Sequence, residues 1–366
     1  MKIAIDARIV FTSTGRYVER LLYHLQDLDD KNEYLVLLLK KDMEAWQPRV
    51  QNFTKIEADF PPYGLAEQRG FLKLLNSLKA DLVHFTMPQH PVLYTRPHIV
   101  TIHDLTLVDF VNRRKESWAR DFYKQVVKPA AFRLVVSRAV QGSKAVITPT
   151  EYVRQELIRR FGAPGGRVHV TPEAADPLAA QAKEAHYGQG KDYLMYVGNA
   201  YPYKNLWTLI EAFRALHRHN LKLVLVGKQD YFYQEMERRT KAAGIEGVIF
   251  AGFVPDDELR WLFEHAKLYV FPSLSEGFGL PPLEAMEYGL PVLSSNASCL
   301  PEVYGEAVEY FDPRSTTELT EAMDRLLDNG PRLKELAEAG KKRVGQFSWA
   351  RMSKHTLDLY RRFGRK

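Results

Sequence analysis

Cysteine is almost absent. Cys299 stands alone among 366 residues, which excludes an intramolecular disulfide and points to a reducing compartment. A single cysteine is ordinarily a small buried hydrophobe, and no catalytic partner for it stands out. Long apolar runs are missing too: none approaches the roughly 20 residues needed to cross a bilayer. Met1-Lys2 leads straight into the apolar Ile3-Ala4-Ile5, so no signal peptide is expected. No histidine or cysteine cluster has metal-ligand spacing, and no metal site is expected. The one Asp-x-Asp, Asp27-Leu28-Asp29, falls at the polar end of the first predicted helix and reads as solvated surface. No nucleic-acid-binding module is recognisable, so nucleic acid is not an expected partner.

The length suits two α/β domains better than one, and 45% hydrophobic residues are enough for two cores. The net charge of +6 and a pI near 9.1 favour anionic partners without choosing among nucleotide, phospholipid and nucleic acid. The excess is concentrated in residues 111–170, where thirteen Lys/Arg face four Asp/Glu and Trp118, Phe122 and Tyr123 are interleaved. Such a stretch is either a patch for an anionic membrane surface or acidic acceptor, or a solvated helical face.

Short apolar runs predict strands at Ile3–Ile5, Tyr34–Leu39, Asp81–Phe85, His98–His103, Ala145–Thr148 and Arg167–Thr171, with Thr150 as N-cap of the helix that follows the fifth. Residues 172–190 are rich in Ala, Pro and charge with little periodicity, which reads as a linker. Further strands are predicted at Tyr193–Val197, Leu221–Val226, Val248–Phe250, Lys267–Phe271 and Pro291–Ser294. Helices are predicted at Trp207–Leu216, Glu318–Leu327, Arg332–Gly345 and Trp349–Arg362.

The stretch that carries the most chemistry is Ser273 to Met286, SLSEGFGLPPLEAM. It runs from a buried strand through a glycine-containing loop into a helix predicted at Leu283–Tyr288. Pro281 and Pro282 suit a helix start, where no amide hydrogen bond is lost. Gly277 and Gly279 allow a sharp turn and a close approach of backbone to ligand. Free N–H groups leading into a helix N-terminus favour an anion. Glu276, in the loop, and Glu284, expected in the first helical turn, are carboxylates able to hold vicinal hydroxyls. Together they would suit a molecule with hydroxyls at both ends and phosphate between. The bland alternative is an ordinary strand–loop–helix with two solvated glutamates.

Glu276–Glu284, EGFGLPPLE, resembles the E-x7-E motif of retaining glycosyltransferases with two Rossmann domains (the GT-B architecture), family four in particular. Other segments resemble the same family. Gly198-Asn199 through Lys204-Asn205 is similar to its donor-phosphate segment, departing at Asn199 where arginine is common; Lys228, beyond the next strand, is either the replacement cation or a surface lysine. Gly252-Phe253-Val254 is similar to a segment whose backbone meets the nucleobase. Thr101-Ile102-His103-Asp104-Leu105 resembles the segment whose histidine contacts the donor; otherwise His103 caps the strand, and Asp104 can equally be structural. Gly15-Arg16-Tyr17 keeps only the end of the family's first glycine-rich loop, so Gly15 is either a donor contact or a helix-start glycine.

The resemblance implies an α/β protein of GT-B architecture, two Rossmann-like domains facing across a cleft. The N-terminal acceptor domain would span 1–174 and be completed by the C-terminal helix 350–366. Residues 175–190 would be the linker and 191–349 the nucleotide-sugar domain. It implies metal-independent transfer of a hexose, with retained configuration, from a UDP- or GDP-sugar to a glycan or lipid-linked saccharide. The setting would be cytoplasmic, with the chain peripheral on the inner membrane face. Following the family, Glu284 would hold the ribose, Glu276 and the amides of Gly277, Phe278, Gly279 and Leu280 the sugar, and Lys204 the leaving diphosphate. His103 would orient the sugar, with Gly15, Gly198, Asn199, Lys228 and Val254 as further donor contacts. No cofactor is implied. Two rivals are a catalytically degenerate partner subunit, for which Asn199 and the thin Gly15 loop leave room, and a 2-epimerase-like isomerase of nucleotide sugars.

Overall fold

The computed structural model describes every residue except 13, 63, 111–127, 179–180, 188–191 and 365–366. The chain divides into two compact units, Met1–Glu173 with Ser348–Lys366, and Ala174–Phe347.

The first unit is built on a parallel sheet of seven strands, β1 (Lys2–Asp6), β2 (Glu33–Leu38), β3 (Phe53–Glu57), β4 (Leu82–Phe85), β5 (His98–Thr101), β6 (Ala145–Thr148) and β7 (Val168–Val170), in the order β3-β2-β1-β4-β5-β6-β7. Parallel strands are covered by helices on both faces, which is why β1, β4, β5 and β6 read as unbroken apolar runs. The order reverses at β1, whose Ile3 pairs with Tyr34 on one side and Leu82 on the other. A reversal of this kind opens a crevice beyond the strands' carboxyl ends, where ligands bind in such sheets.

The second unit repeats the plan with β8 (Tyr193–Val197), β9 (Lys222–Val226), β10 (Val248–Gly252), β11 (Leu268–Phe271), β12 (Val292–Ser295) and β13 (Glu309–Phe311) in the order β10-β9-β8-β11-β12-β13. Its core is continuous from Tyr193 to Val344 and takes in Ala175 and Ala185. Residues 175–190 were expected to be the linker. Their described part lies against this unit: the Leu178 amide donates to the Tyr288 hydroxyl (2.6 Å) and that of Lys183 to the Asp257 carbonyl (3.1 Å). Alanine side chains are small enough to bury without any helical or strand period to announce it.

The last helix, Trp349–Phe363, returns to the first unit and packs on the helix Gly15–Leu28. Its Tyr360 hydroxyl is 2.7 Å from Nδ1 of His84, whose Nε2 is 2.8 Å from the Thr101 hydroxyl; that in turn is 3.1 Å from the Tyr17 hydroxyl. Every one of these groups is buried. Burial, with the charge of nearby His103, pushes the His84 pKa down to about 3, so the ring is neutral and bonds as a neutral group. Tyr360→Phe leaves the ring nitrogen without its partner and should cost about 1–3 kcal/mol, read as a lower midpoint in urea unfolding.

Two buried polar features stand out, the first of them against the sequence reading. Asp29 is not solvated: it is 4% exposed, closes the helix Gly15–Leu28, and accepts from the Tyr34 hydroxyl and the Asn32 amide, both at 2.6 Å. Its neighbour Asp27 pairs on the surface with Arg49. The second feature is a buried ionic cluster after β1. Arg8 donates from Nε (2.8 Å) and Nη2 (2.7 Å) to the two oxygens of Asp6, from Nη2 to Glu67 (2.9 Å) and from Nη1 to the Phe60 carbonyl (2.6 Å). Its guanidinium also lies 3.9 Å from the Phe71 ring centroid. This cluster ties the wide helical turn Glu67–Phe71 to the carboxyl end of β1.

Candidate functional site

Each unit carries its candidate residues beyond the carboxyl ends of its own strands. In the second unit, β11 ends at Phe271 and the chain enters the loop holding Glu276. Gly279 has φ +88°, a left-handed backbone that favours glycine, and a Cβ there would lie 2.3 Å from the Tyr304 hydroxyl. Closure of that turn by Gly279 lets the helix begin at Leu280, with both prolines in its first turn. Glu284 therefore sits in the second turn, half-buried, and not in the first as expected. Pro281 and Pro282 have no amide N–H, and the Glu276 amide donates to the Ser298 hydroxyl at 2.9 Å.

Lys204 reaches this loop from the short turn Pro202–Lys204 that follows β8. Its Nζ lies 2.6 Å from Oε1 of Glu276, with the two side chains 10% and 12% exposed. A cation and a carboxylate are thus held together at adjacent strand ends in a largely desolvated place, where electrostatic effects are strong. The pair leaves the carboxylate's second oxygen and the ammonium's other protons as hydrogen-bonding capacity.

The remaining predicted residues fall around this pair unevenly. The Gly198 amide is used by the Val226 carbonyl (3.0 Å). Asn199 turns its side-chain oxygen to the Tyr201 amide (3.2 Å), so it supports the local turn. Lys228 is exposed beyond β9. Val254 is buried in the core while Phe253 beside it is 82% exposed; Phe278 is likewise buried, edge-on to Phe347, so both can offer a ligand only backbone. Sequence alone does not reveal the groups that lock the loop from behind. These are Ser298, in the left-handed region at φ +52°, the Cys299 thiol donating to the Glu276 carbonyl (3.3 Å), and the Tyr304 hydroxyl donating to the Gly279 carbonyl (2.7 Å).

In the first unit, β5 stops at Thr101 and His103 lies two residues beyond, bonded to Glu173 and to the Thr86 carbonyl. Gly15 opens its helix where a Cβ would fall 2.0 Å from the Val10 carbonyl oxygen, so close packing requires glycine there. Of the basic stretch, residues 111–127 lie outside the described residues. In the described part Arg154, Arg159 and Arg160 form ion pairs with Glu151, Glu156 and Asp109. Among the described residues, no helix is long and apolar enough to cross a membrane.

A groove of about 1060 Å³ opens at the opposite, amino ends of β8, β9 and β11, beside Trp261 and His265. Its cations are neutralised locally, Arg218 by Asp324 and Asp328 and Lys267 by Asp192.

Two doubly wound parallel α/β units, with a lysine–glutamate pair and an E-x7-E loop at the strand ends of the second, define the GT-B class. Two family models match in succession, Glycosyltransferase Family 4 over residues 14–179 and Glycosyl transferases group 1 over residues 180–343. The chain belongs to this family of glycosyltransferases, as the motifs implied. Among curated relatives, O-antigen chain mannosyltransferase B of Escherichia coli is 34% identical over 242 residues, which are 61% of this chain and 62% of that protein. Serotype-specific mannosyltransferase WbdA of Escherichia coli is 30% identical over 254 residues, 66% of this chain and 30% of the relative. This chain thus spans less than two thirds of either relative's length. Among solved structures, the sucrose-phosphate synthase of Thermosynechococcus elongatus has the same fold, with TM-score 0.77 at 18% identity over 99% of this chain and 98% of that one.

Proposed function

We propose that the chain is a retaining hexosyltransferase that moves a sugar from a UDP- or GDP-sugar to a glycan or lipid-linked saccharide without a metal ion. The observation that carries this reading is the 2.6 Å pairing of Lys204 with Glu276 beside the Gly279 turn. In the reaction, the bond from the anomeric carbon to the diphosphate oxygen breaks and a bond to the acceptor oxygen forms on the same face. The acceptor's proton passes to the departing phosphate. Lys204 supports the charge that grows on the diphosphate. Glu276 and Glu284 accept hydrogen bonds from sugar and ribose hydroxyls, and His103 orients the sugar.

Asn199 carries no charge, so phosphate neutralisation in the second unit falls chiefly to Lys204. Mannose, the sugar in the names of both relatives, is the first to try, and an O-antigen-type glycan is the first acceptor. Residues 111–170 are proposed as the part that meets an anionic membrane surface. The test is release of nucleoside diphosphate from a panel of UDP- and GDP-sugars with EDTA present. EDTA-resistant release from one donor, raised by a saccharide acceptor, is the expected result. Neither binding nor consumption of any donor would favour a degenerate partner subunit. Interconversion of the donor sugar without release would favour the isomerase.

A further inference from the structure

The two ring nitrogens of His103 face two different oxygens: Nδ1 is 2.8 Å from the Glu173 carboxylate and Nε2 is 3.0 Å from the Thr86 backbone carbonyl. Both partners accept hydrogen bonds and neither donates. A neutral imidazole has a single N–H, so one of these contacts would set lone pair against lone pair. The other buried histidines differ. His84 lies between two hydroxyls, each able to donate or accept. The ring bonds found for His90 and His98 each run from one nitrogen to one carbonyl.

We propose that Glu173 is a positioning residue that fixes His103 as a doubly protonated imidazolium at the end of β5, with both N–H groups engaged. The proposal rests on the transferase reading above, in which His103 orients the donor sugar. Glu173 is itself 7% exposed and ends the first segment of the first unit, so little solvent screens the pair. Burial works against the charged ring, but the bond and charge of Glu173, the Thr86 carbonyl and the charge of Asp104 outweigh it. The His103 pKa is raised above its ordinary value. Two further titratable groups face the ring. Tyr17, edge-on at 4.8 Å between centroids, is kept neutral because burial raises its pKa. His84 is neutral because burial lowers its own.

The sign follows directly. Glu173 favours the protonated ring, so its loss lowers the pH at which the charge disappears. An opposite charge at this distance is worth about one to three pH units. Histidine-labelled full-length protein is titrated by NMR, with H103Q used only to assign the resonance. In the wild type His103 should lose its proton above the ordinary value of about 6.5. In E173Q, which keeps the shape, it should do so at least about one unit lower. The alkaline limb of the kcat profile for donor consumption should move the same way, and E173D, which keeps the charge, should restore part of the shift.

A wild-type His103 titrating at or below the ordinary value overturns the proposal, as does an unmoved titration or alkaline limb in E173Q. Failure of the transferase reading would appear separately, as absence of donor consumption by the wild type at every pH. The NMR titration of the unmodified protein reads the charge of His103 even if E173Q folds poorly.

Discussion

Lys204→Ala should lower the turnover of donor by about a hundredfold or more, the usual loss when one fixed electrostatic partner of a developing oxyanion is removed. Lys204 is 8% exposed and pairs with Glu276. Its ammonium lies 5.3 Å from the Tyr203 ring and 5.4 Å from the Phe271 ring, so aromatic faces hold the charge in place. Alanine removes two things together, the cation proposed to meet the leaving diphosphate and the counter-charge of a nearly buried carboxylate. Loss of one member of such a pair destabilises because the other charge stays behind.

The two effects separate in a double replacement, Lys204→Met with Glu276→Gln. Neutralising both should return much of the lost stability while turnover stays low. A melting curve and a steady-state assay on the same preparations distinguish these outcomes. Recovery of near-wild-type turnover in either folded variant would remove Lys204 from the chemistry. Arginine is not a safe substitute, because a planar guanidinium cannot occupy the compact place of an ammonium.

Arg8→Ala is the second large expected effect, and it concerns stability. Arg8 is 2% exposed and lies between two buried carboxylates, Asp6 and Glu67. Its removal takes the cation from between them and also opens the space over Phe71. Breaking a buried ionic cluster in this way costs about 3–5 kcal/mol. Denaturant unfolding of the variant should show a correspondingly lower midpoint. Arg8→Met combined with Asp6→Asn and Glu67→Gln should recover part of the loss, because no buried charge is then left over. An Arg8→Ala protein as stable as the wild type would mean that the carboxylates are reached by solvent.

The strands of both sheets were legible where burial on both faces writes an unbroken apolar run, as in Tyr193–Val197 and Ala145–Thr148. β3 was not legible. It is an edge strand that pairs only with β2, and its Lys55 and Glu57 break the run. The E-x7-E loop was legible because its residues are contiguous, yet Glu284 fell one turn off. A left-handed Gly279 starts the helix three residues before the predicted Leu283, which spacing alone does not reveal. Pairings between distant residues were the least legible. His103 meets Glu173 across 70 positions and Lys204 meets Glu276 across 72. Strand order brings Lys204 and Glu276 to the neighbouring ends of β8 and β11, and His103 and Glu173 to the same edge of the first sheet, with β6 between β5 and β7. Asp29 looked solvated because nothing in its own segment announces Tyr34 as its partner.

The most direct measurement is a crystal structure of the chain with the nucleoside diphosphate of its donor bound. The prediction is phosphate density within hydrogen-bond distance of Lys204 Nζ and a ribose against Glu284. A nucleotide seated elsewhere, for example in the groove beside Arg218 and Trp261, with the Lys204–Glu276 pair untouched, would contradict it.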